Sequence, residues 1–268
     1  FKQGEELRIG IRYIIGEADI EGTLKDLSSL AETHIENAYK ISFEKLRTQY
    51  DKEKKIPDSF AIIGMGKLGG REINFKSDLD LIFVYEGTPN DSFFSEDVVL
   101  FYTKISQLLH ELTSQVTSSG YVYKIDSDLR AEGKSGRMVN SIKRYEDYYK
   151  KRARTWEQQA MVRARFIAGN QQTGENFINM VQEFTYRSKL EYGSIIEISR
   201  LRERIEKDLA GETVKGKNVK LGYGGLVDIE FATQILQMIH GKKNRQLRET
   251  NTLSAIAQLG TLGIIDHL

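Results

Sequence analysis

Cysteine is absent from the 268 residues, which excludes disulfides, thiolate metal centres and cysteine nucleophiles. Histidine is scarce: His34, His110, His240 and His267 are scattered without metal-ligand spacing, so a zinc enzyme is not expected. Proline occurs twice, well under the usual ~5%, which leaves long helices uninterrupted. No long apolar run exists either. The longest, residues 60–65, is about six residues, against the roughly 20 needed to cross a bilayer, and no signal-peptide pattern opens the chain. A soluble, cytoplasmic protein without a membrane partner is expected. Nor is there an excess of one charge: 39 basic against 38 acidic residues leave +1, too little for a global field that wraps nucleic acid, so none is expected as a partner. With 29% charged and 40% hydrophobic residues, disordered and fibrous classes fit poorly.

What is present falls into two regimes. Residues 24–47 repeat apolar Leu27, Leu30, Ala31, Ile35, Ala38, Ile41 and Leu46 at helical spacing, and a polar stretch at 51–55 closes that helix. Residues 59–64 read as a strand running into the glycine cluster Gly64-Met65-Gly66-Lys67-Leu68-Gly69-Gly70. A second strand is expected at 79–85, a turn at 87–91, a helix at 95–117 and a third strand at 121–125. From there helical periodicity dominates: 142–162, 174–189, 195–209, 226–240 and 252–259, with one extended piece near 165–168. The plan is α+β, a small mixed-sheet unit over residues 1–168 followed by an α-helical bundle over 169–268. The chain opens on Phe1 and stops in the pattern Leu262-Gly263-Ile264-Ile265, which reads as continuing helix, so a fragment of a longer polypeptide is expected.

The chemistry gathers at Asp78 and Asp80. At i and i+2 on a strand their side chains share a face. An exposed polar edge would explain a lone pair, but this one opens a strand whose remainder, Leu81-Ile82-Phe83-Val84, looks buried, so the carboxylates would repel without a cation between them. Oxygen ligands without cysteine or clustered histidine suggest Mg²⁺ or Mn²⁺. Upstream, Gly66, Gly69 and Gly70 permit close backbone approach and Lys67 adds a cation, a workable phosphate cradle that matches neither the P-loop nor the dinucleotide fingerprint. Asp126, with Asp128 two residues on, brings the third carboxylate that two-metal phosphoryl chemistry uses, and Arg130 would face the same side toward phosphate. Between Arg137 and Arg165 nine basic residues face three acidic ones. Most read as a solvated helix face; Arg163 and Arg165, flanked by apolar residues, are the candidates for an anionic cleft.

These residues carry a resemblance. The stretches from Gly64 to Asn74 and from Ser77 to Phe83 are similar to the nucleotidyltransferase signature of the glutamine-synthetase adenylyltransferase/adenylyl-removing family. The match continues through Arg154-Thr155-Trp156-Glu157-Gln158-Gln159-Ala160, Arg163-Ala164-Arg165 and Gly224-Gly225-Leu226-Val227-Asp228-Ile229-Glu230-Phe231, covering roughly residues 24–260. The resemblance implies a polymerase-β-like nucleotidyltransferase domain followed by a helical bundle. It implies a carboxylate triad of Asp78, Asp80 and Asp126 holding Mg²⁺ or Mn²⁺, with Gly66, Lys67, Gly69, Gly70, Ser77, Arg130, Arg163 and Arg165 toward nucleotide and phosphate. Glutamine synthetase, ATP or ADP, phosphate and a PII-type signal protein acting on the full-length enzyme are the implied partners. The family joins an AMP-removing half and an AMP-attaching half. Asn74-Phe75, Glu132-Gly133-Lys134-Ser135-Gly136 and Arg154-Thr155-Trp156-Glu157 resemble the removing half, whereas Val227-Asp228 resembles the attaching half. The removing half, working by phosphorolysis, is the reading adopted; the ATP-dependent half and a non-catalytic docking module are the alternatives.

One departure stands out. Where the family reads Asp-Leu-Arg-Leu-Arg-Pro, this chain has Asp126-Ser127-Asp128-Leu129-Arg130-Ala131, so Asp128 either joins the metal site or weakens nucleotide binding. Trp156, the single tryptophan, is expected as a core anchor rather than a stacking platform for adenine. Asp228 and Glu230, in the first turn of a helix, are expected either to cap it or to orient an arginine such as Arg163.

Overall fold

The computed structural model describes residues 1–49, 58–87, 96–118, 120–186, 190, 192–211 and 216–266. The polar stretch expected at 51–55, and all but the first residue of the turn expected at 87–91, lie outside them. The chain forms two compact units, Phe1–Lys151 with Arg163–Met180, and Arg152–Val162 with Val181–Leu268. Among the described residues no helix is long and apolar enough to cross a membrane.

The first unit is a mixed α/β layer. Helix α1 (Lys2–Ile14), which no sequence signal marked, precedes the 30-residue α2 (Ile20–Gln49). Asp19 starts α2 by accepting the Gly22 N–H at 2.7 Å, the usual role of an acidic N-cap. Its buried stripe is Leu27, Leu30, Ala31, Ile35, Ala38, Tyr39 and Leu46. Ile41, expected on that stripe, is 57% exposed, because Tyr39 and Ser42 occupy the inward positions on either side of it.

Strand β1 (Phe60–Gly64) leads through the one-turn helix α3 (Gly66–Gly69) to β2 (Leu79–Tyr85), and the two strands pair antiparallel from Phe60↔Tyr85 to Gly64↔Leu81. After helix α4 (Glu96–Ser114) come two short strands parallel to β2, β3 (Ile125–Asp126) at its start and β4 (Val139–Ser141) at its end. The third strand is thus much shorter than expected. Val122 and Tyr123 donate their N–H groups to Thr113 O at the end of α4, at 3.0 and 2.9 Å, and so leave the ladder. The expected helix over 142–162 divides into α5 (Ile142–Lys151) and α6 (Thr155–Ala160). Glu157 accepts the Arg154 N–H at 2.8 Å and restarts the second piece.

Strand β5 (Arg165–Gly169), the extended piece, pairs antiparallel with the free edge of β1. Two β5 residues advance for one of β1 between Ile62 and Ile63, so Ile167 is the extra residue of a bulge. Helix α7 (Gln171–Thr185) follows. Phe60 is the centre of the core, stacked on Tyr39 (5.7 Å), Phe83 (6.0 Å) and Tyr102 (5.3 Å between centroids). Losing such a ring to alanine costs about 3–5 kcal/mol.

The second unit is helical. Helices α8 (Tyr192–Leu209), α9 (Leu226–His240) and α10 (Thr252–Thr261) carry it, with Val162, Leu190, Ile198 and Met238 in a small core. Leu262 caps α10 and Gly263 turns at φ 63°, so the helix does not run on through 262–265. Buried amides add polar ties: Gln159 Nε2 donates to Gln234 Oε1 at 2.8 Å, and Gln237 Nε2 to Leu247 O at 2.7 Å. Trp156 lies half-buried on α6.

Burial pushes the phenols of Tyr39, Tyr102, Tyr123 and Tyr145 up from the ordinary value near 10. A group with a raised folded-state pKa contributes stability that is complete below its unfolded value and declines as pH climbs toward the folded one. Denaturant midpoints are therefore expected to hold up to about pH 10 and fall steadily above it, with tyrosine ultraviolet titration lagging until unfolding. Free titration of all phenols near pH 10 with an unchanged midpoint would contradict this packing.

Candidate active site

Antiparallel pairing of β1 with β2 and β5, and parallel pairing of β2 with β3, bring four chain ends to one end of the sheet. These are the exit of β1 at Gly64, the entry of β2 at Asp78–Leu79, the Ile125–Asp126 pair and the entry of β5 at Arg165. Leu79 pairs with Ile125 and Asp80 with Asp126. Facing partners on parallel strands project to the same side, so these two carboxylates sit side by side, with Asp78 two residues before Asp80. Asp78 is exposed and has no partner among the described residues.

The glycine turn closes onto this end through backbone contact. Met65 N–H donates to Asp80 O at 2.9 Å. A Cβ on Gly66 would lie 2.4 Å from Asp80 Oδ2, and φ there is +52°, so both space and conformation call for glycine. A Cβ on Gly69 would lie 1.7 Å from Arg163 O. Gly70 ends α3, and Ser77 Oγ accepts the Asn74 N–H at 3.1 Å in the turn before β2. Lys67 is half-buried and forms no ion pair among the described residues.

The two cleft arginines serve the turn itself. Arg163, 4% exposed, pairs with Glu72 at 3.1 Å. Arg165 donates to Gly69 O (2.9 Å) and Leu68 O (2.8 Å) and pairs with Glu32. Asp228 finds a different arginine from the one the sequence suggested: it accepts from Arg202 Nε at 2.6 Å and from the Gly224 N–H at 2.7 Å, clamping the start of α9.

Asp78 and Asp126 line a cavity of about 430 Å³ together with His110, Lys124, Ser127, Asp128, Arg130 and Lys134; Asp80 is not among its lining residues. Sequence reasoning did not single out His110, on α4, or Lys124, just before β3, and it gave Lys134 only within the Glu132-Gly133-Lys134-Ser135-Gly136 stretch and not as a site residue; the loop after β3 brings Lys134 in. Asp126 Oδ1 accepts the Asp128 N–H at 2.7 Å, whereas the Asp128 carboxylate pairs with Lys134. Among the described residues no three acidic or imidazole groups are placed to hold a metal ion as they stand. The donor set nevertheless fits a hard cation of the Mg²⁺ kind. Such an ion is usually bound by one or two carboxylates and completed by water and substrate phosphate, and the Asp80–Asp126 register supplies two side by side.

Residues 1–180 match the family model of glutamate-ammonia ligase adenylyltransferase, and residues 197–267 match that of GlnD PII-uridylyltransferase. The chain is 35% identical, over its whole length, to the bifunctional glutamine synthetase adenylyltransferase/adenylyl-removing enzyme of Shewanella loihica. It is 33% identical over 99% of its length to the enzyme so named from Pseudomonas aeruginosa, and 36% identical over 95% to that from Methylococcus capsulatus. It spans 28% of the length of the first two relatives and 27% of the third.

Close approach at the turn sets a stability test. Gly69→Ala is expected to lower stability by roughly 1–3 kcal/mol, since the methyl collides with backbone that cannot swing away. Gly4→Ala, in the first turn of α1 with nothing within 4 Å, serves as the control and should be neutral or stabilising by up to about 1 kcal/mol. Equal melting temperatures for the two variants would refute the contact.

Proposed function

Because the chain belongs to the glutamate-ammonia ligase adenylyltransferase family, we propose that its sheet-bearing unit is a cytoplasmic, polymerase-β-like nucleotidyltransferase centre that removes AMP from a tyrosine of adenylylated glutamine synthetase by phosphorolysis. The observation that supports this most is the Asp80↔Asp126 register beside Asp78, at the mouth of a glycine turn. In this reading Asp78, Asp80 and Asp126 hold Mg²⁺ or Mn²⁺. Bound there, the ion supplies charge neutralisation on the phosphoryl oxygens and activation of the attacking oxygen.

The chain's own groups do the rest. Gly66, Gly69 and Gly70 let the nucleotide approach backbone, Lys67 meets phosphate charge, and Ser77 fixes the turn that delivers Asp78. Arg130 faces the incoming inorganic phosphate from the loop after β3. Arg163 and Arg165 act through the turn, holding Gly69 and Leu68 in place. An oxygen of phosphate attacks the AMP phosphorus in line, the bond from phosphorus to the tyrosine oxygen breaks, ADP departs and the phenolate takes a proton from solvent. A PII-type signal protein is proposed as a partner of the full-length polypeptide, a reading supported by the match of residues 197–267 to a PII-uridylyltransferase family model.

The decisive assay incubates the chain with adenylylated glutamine synthetase and identifies the nucleotide released. ADP whose formation requires phosphate and a divalent ion is the expected outcome. No release with phosphate, combined with pyrophosphate release from ATP and unmodified glutamine synthetase, would reassign the chain to the attaching half. Asp78→Asn is expected to lower turnover at least about 100-fold, since loss of a metal ligand costs several kcal/mol in the transition state. Its melting temperature should stay level or rise slightly, because an unpaired carboxylate is removed from beside its neighbours. Turnover near that of the unmodified chain would remove Asp78 from the site.

A further inference from the structure

The segment after Asp126 folds into a loop held by one guanidinium. Arg130, with a side chain 10% exposed, donates to Ser127 O (2.7 Å), Lys134 O (2.9 Å) and Gly136 O (3.1 Å). Glu132 turns the loop at φ 66° and Gly136 packs where a Cβ would meet Ala131 O at 2.0 Å. The loop therefore presents fixed groups to the cavity. Two are cationic, Arg130 and Lys134. A third is Ser127, whose buried hydroxyl has no hydrogen-bond partner among the described residues. An orphaned hydroxyl on a residue that lines the same cavity as two cations is what an oxyanion would satisfy.

Asp128 stands among these groups. Its carboxylate is 3.2 Å from Lys134 Nζ and 3.7 Å from Arg130 Nη1. We propose that Asp128 is a resident counter-ion: it holds the cations of an anion subsite formed by Ser127, Arg130 and Lys134, and an incoming phosphate must displace it, so Asp128 sets the affinity for the phosphate co-substrate. The inference rests on the phosphorolytic reading above and deepens it by assigning the phosphate subsite. It also sets Asp128 apart from a metal ligand, one of the two roles open to it in the sequence. A metal ligand would turn toward Asp126, whereas here only the Asp128 backbone N–H does so, at 2.7 Å, and the carboxylate goes to the cations. Lys134 is 85% exposed along its side chain, so the pair is weak and an anion can exchange for it.

Isothermal titration of the 268-residue chain with inorganic phosphate, and separately with ADP plus Mn²⁺, tests this. Asp128→Asn is expected to tighten phosphate binding roughly two- to fivefold, with Mn²⁺-dependent ADP binding retained and the melting temperature unchanged. Lys134→Gln, at an exposed position, should weaken phosphate binding by a similar factor, and in that background Asp128→Asn should gain less. A merely structural Asp128 would never give a gain. Unchanged or weaker phosphate binding in Asp128→Asn overturns the inference, and weaker Mn²⁺ binding there would make Asp128 a metal ligand instead. Absence of Mn²⁺-dependent ADP binding in the unmodified chain overturns the phosphorolytic reading and the inference with it, whereas ADP binding without an Asp128 effect removes the inference alone.

Discussion

The contact of one backbone with another at Gly69 is the constraint on which the sheet end depends. With no side chain at that position, the glycine turn lies directly against the carbonyl of Arg163, and Arg165 fastens the same turn from the side by its hydrogen bonds to Gly69 and Leu68. The turn in turn fixes the start of β2 through Met65 N–H and the carbonyl of Asp80. Moving any one of these pieces would carry the carboxylates with it. The precision of the acidic cluster is therefore set by backbone packing beneath it, and only secondarily by the strand that carries the acids.

The distribution of charge follows from the same economy. The basic segment from Arg137 to Arg165 looks, in sequence, like a field for anions. In the folded chain most of it is neutralised at home. Lys143 and Lys150 pair with Glu146 along α5, Arg144 reaches Glu132, Arg163 meets Glu72, and Arg165 meets Glu32. The exposed pairs add little to stability, about 0–1 kcal/mol each. Arg163 and Glu72 are mostly withdrawn from water, and there loss of one partner would strand the other's charge.

What was legible in the sequence is what repetition or crowding writes into it. Strand β2 and helix α9 have the bounds their apolar pattern indicates, since an uninterrupted buried run and a 3.6-residue stripe are local signals. The glycine turn was legible because its glycines crowd beside a strand. Strand β4 was not: three residues, Val139, Asn140 and Ser141, become a strand only by finding the far half of β2. Strand β3 shrank because Thr113 O, eight residues before Tyr121, captured the N–H groups that a longer strand would have used. The setting of Asp128 was hidden for a related reason. Its partner Lys134 approaches only after Glu132 adopts a left-handed conformation that its residue type does not favour.

The bulge between β1 and β5 has a consequence for how this chain can vary in length. Ile167 is the residue inserted there, and its side chain occupies the volume that a Cβ on Gly64 would need, at 2.7 Å. Deleting Ile167 would leave Ala168 opposite Ile62 and Phe166 opposite Ile63 in a regular ladder, with every side chain on the face it has now, but it would remove the local bend and added twist that the bulge gives the strand. Arg165 would stay opposite Gly64 but on a straighter strand, and the hollow over Gly64 would open. A single-residue deletion in this strand is thus not a small edit, and drift at position 64 is tied to drift at 167: a larger residue at the first becomes tolerable only when the second retreats.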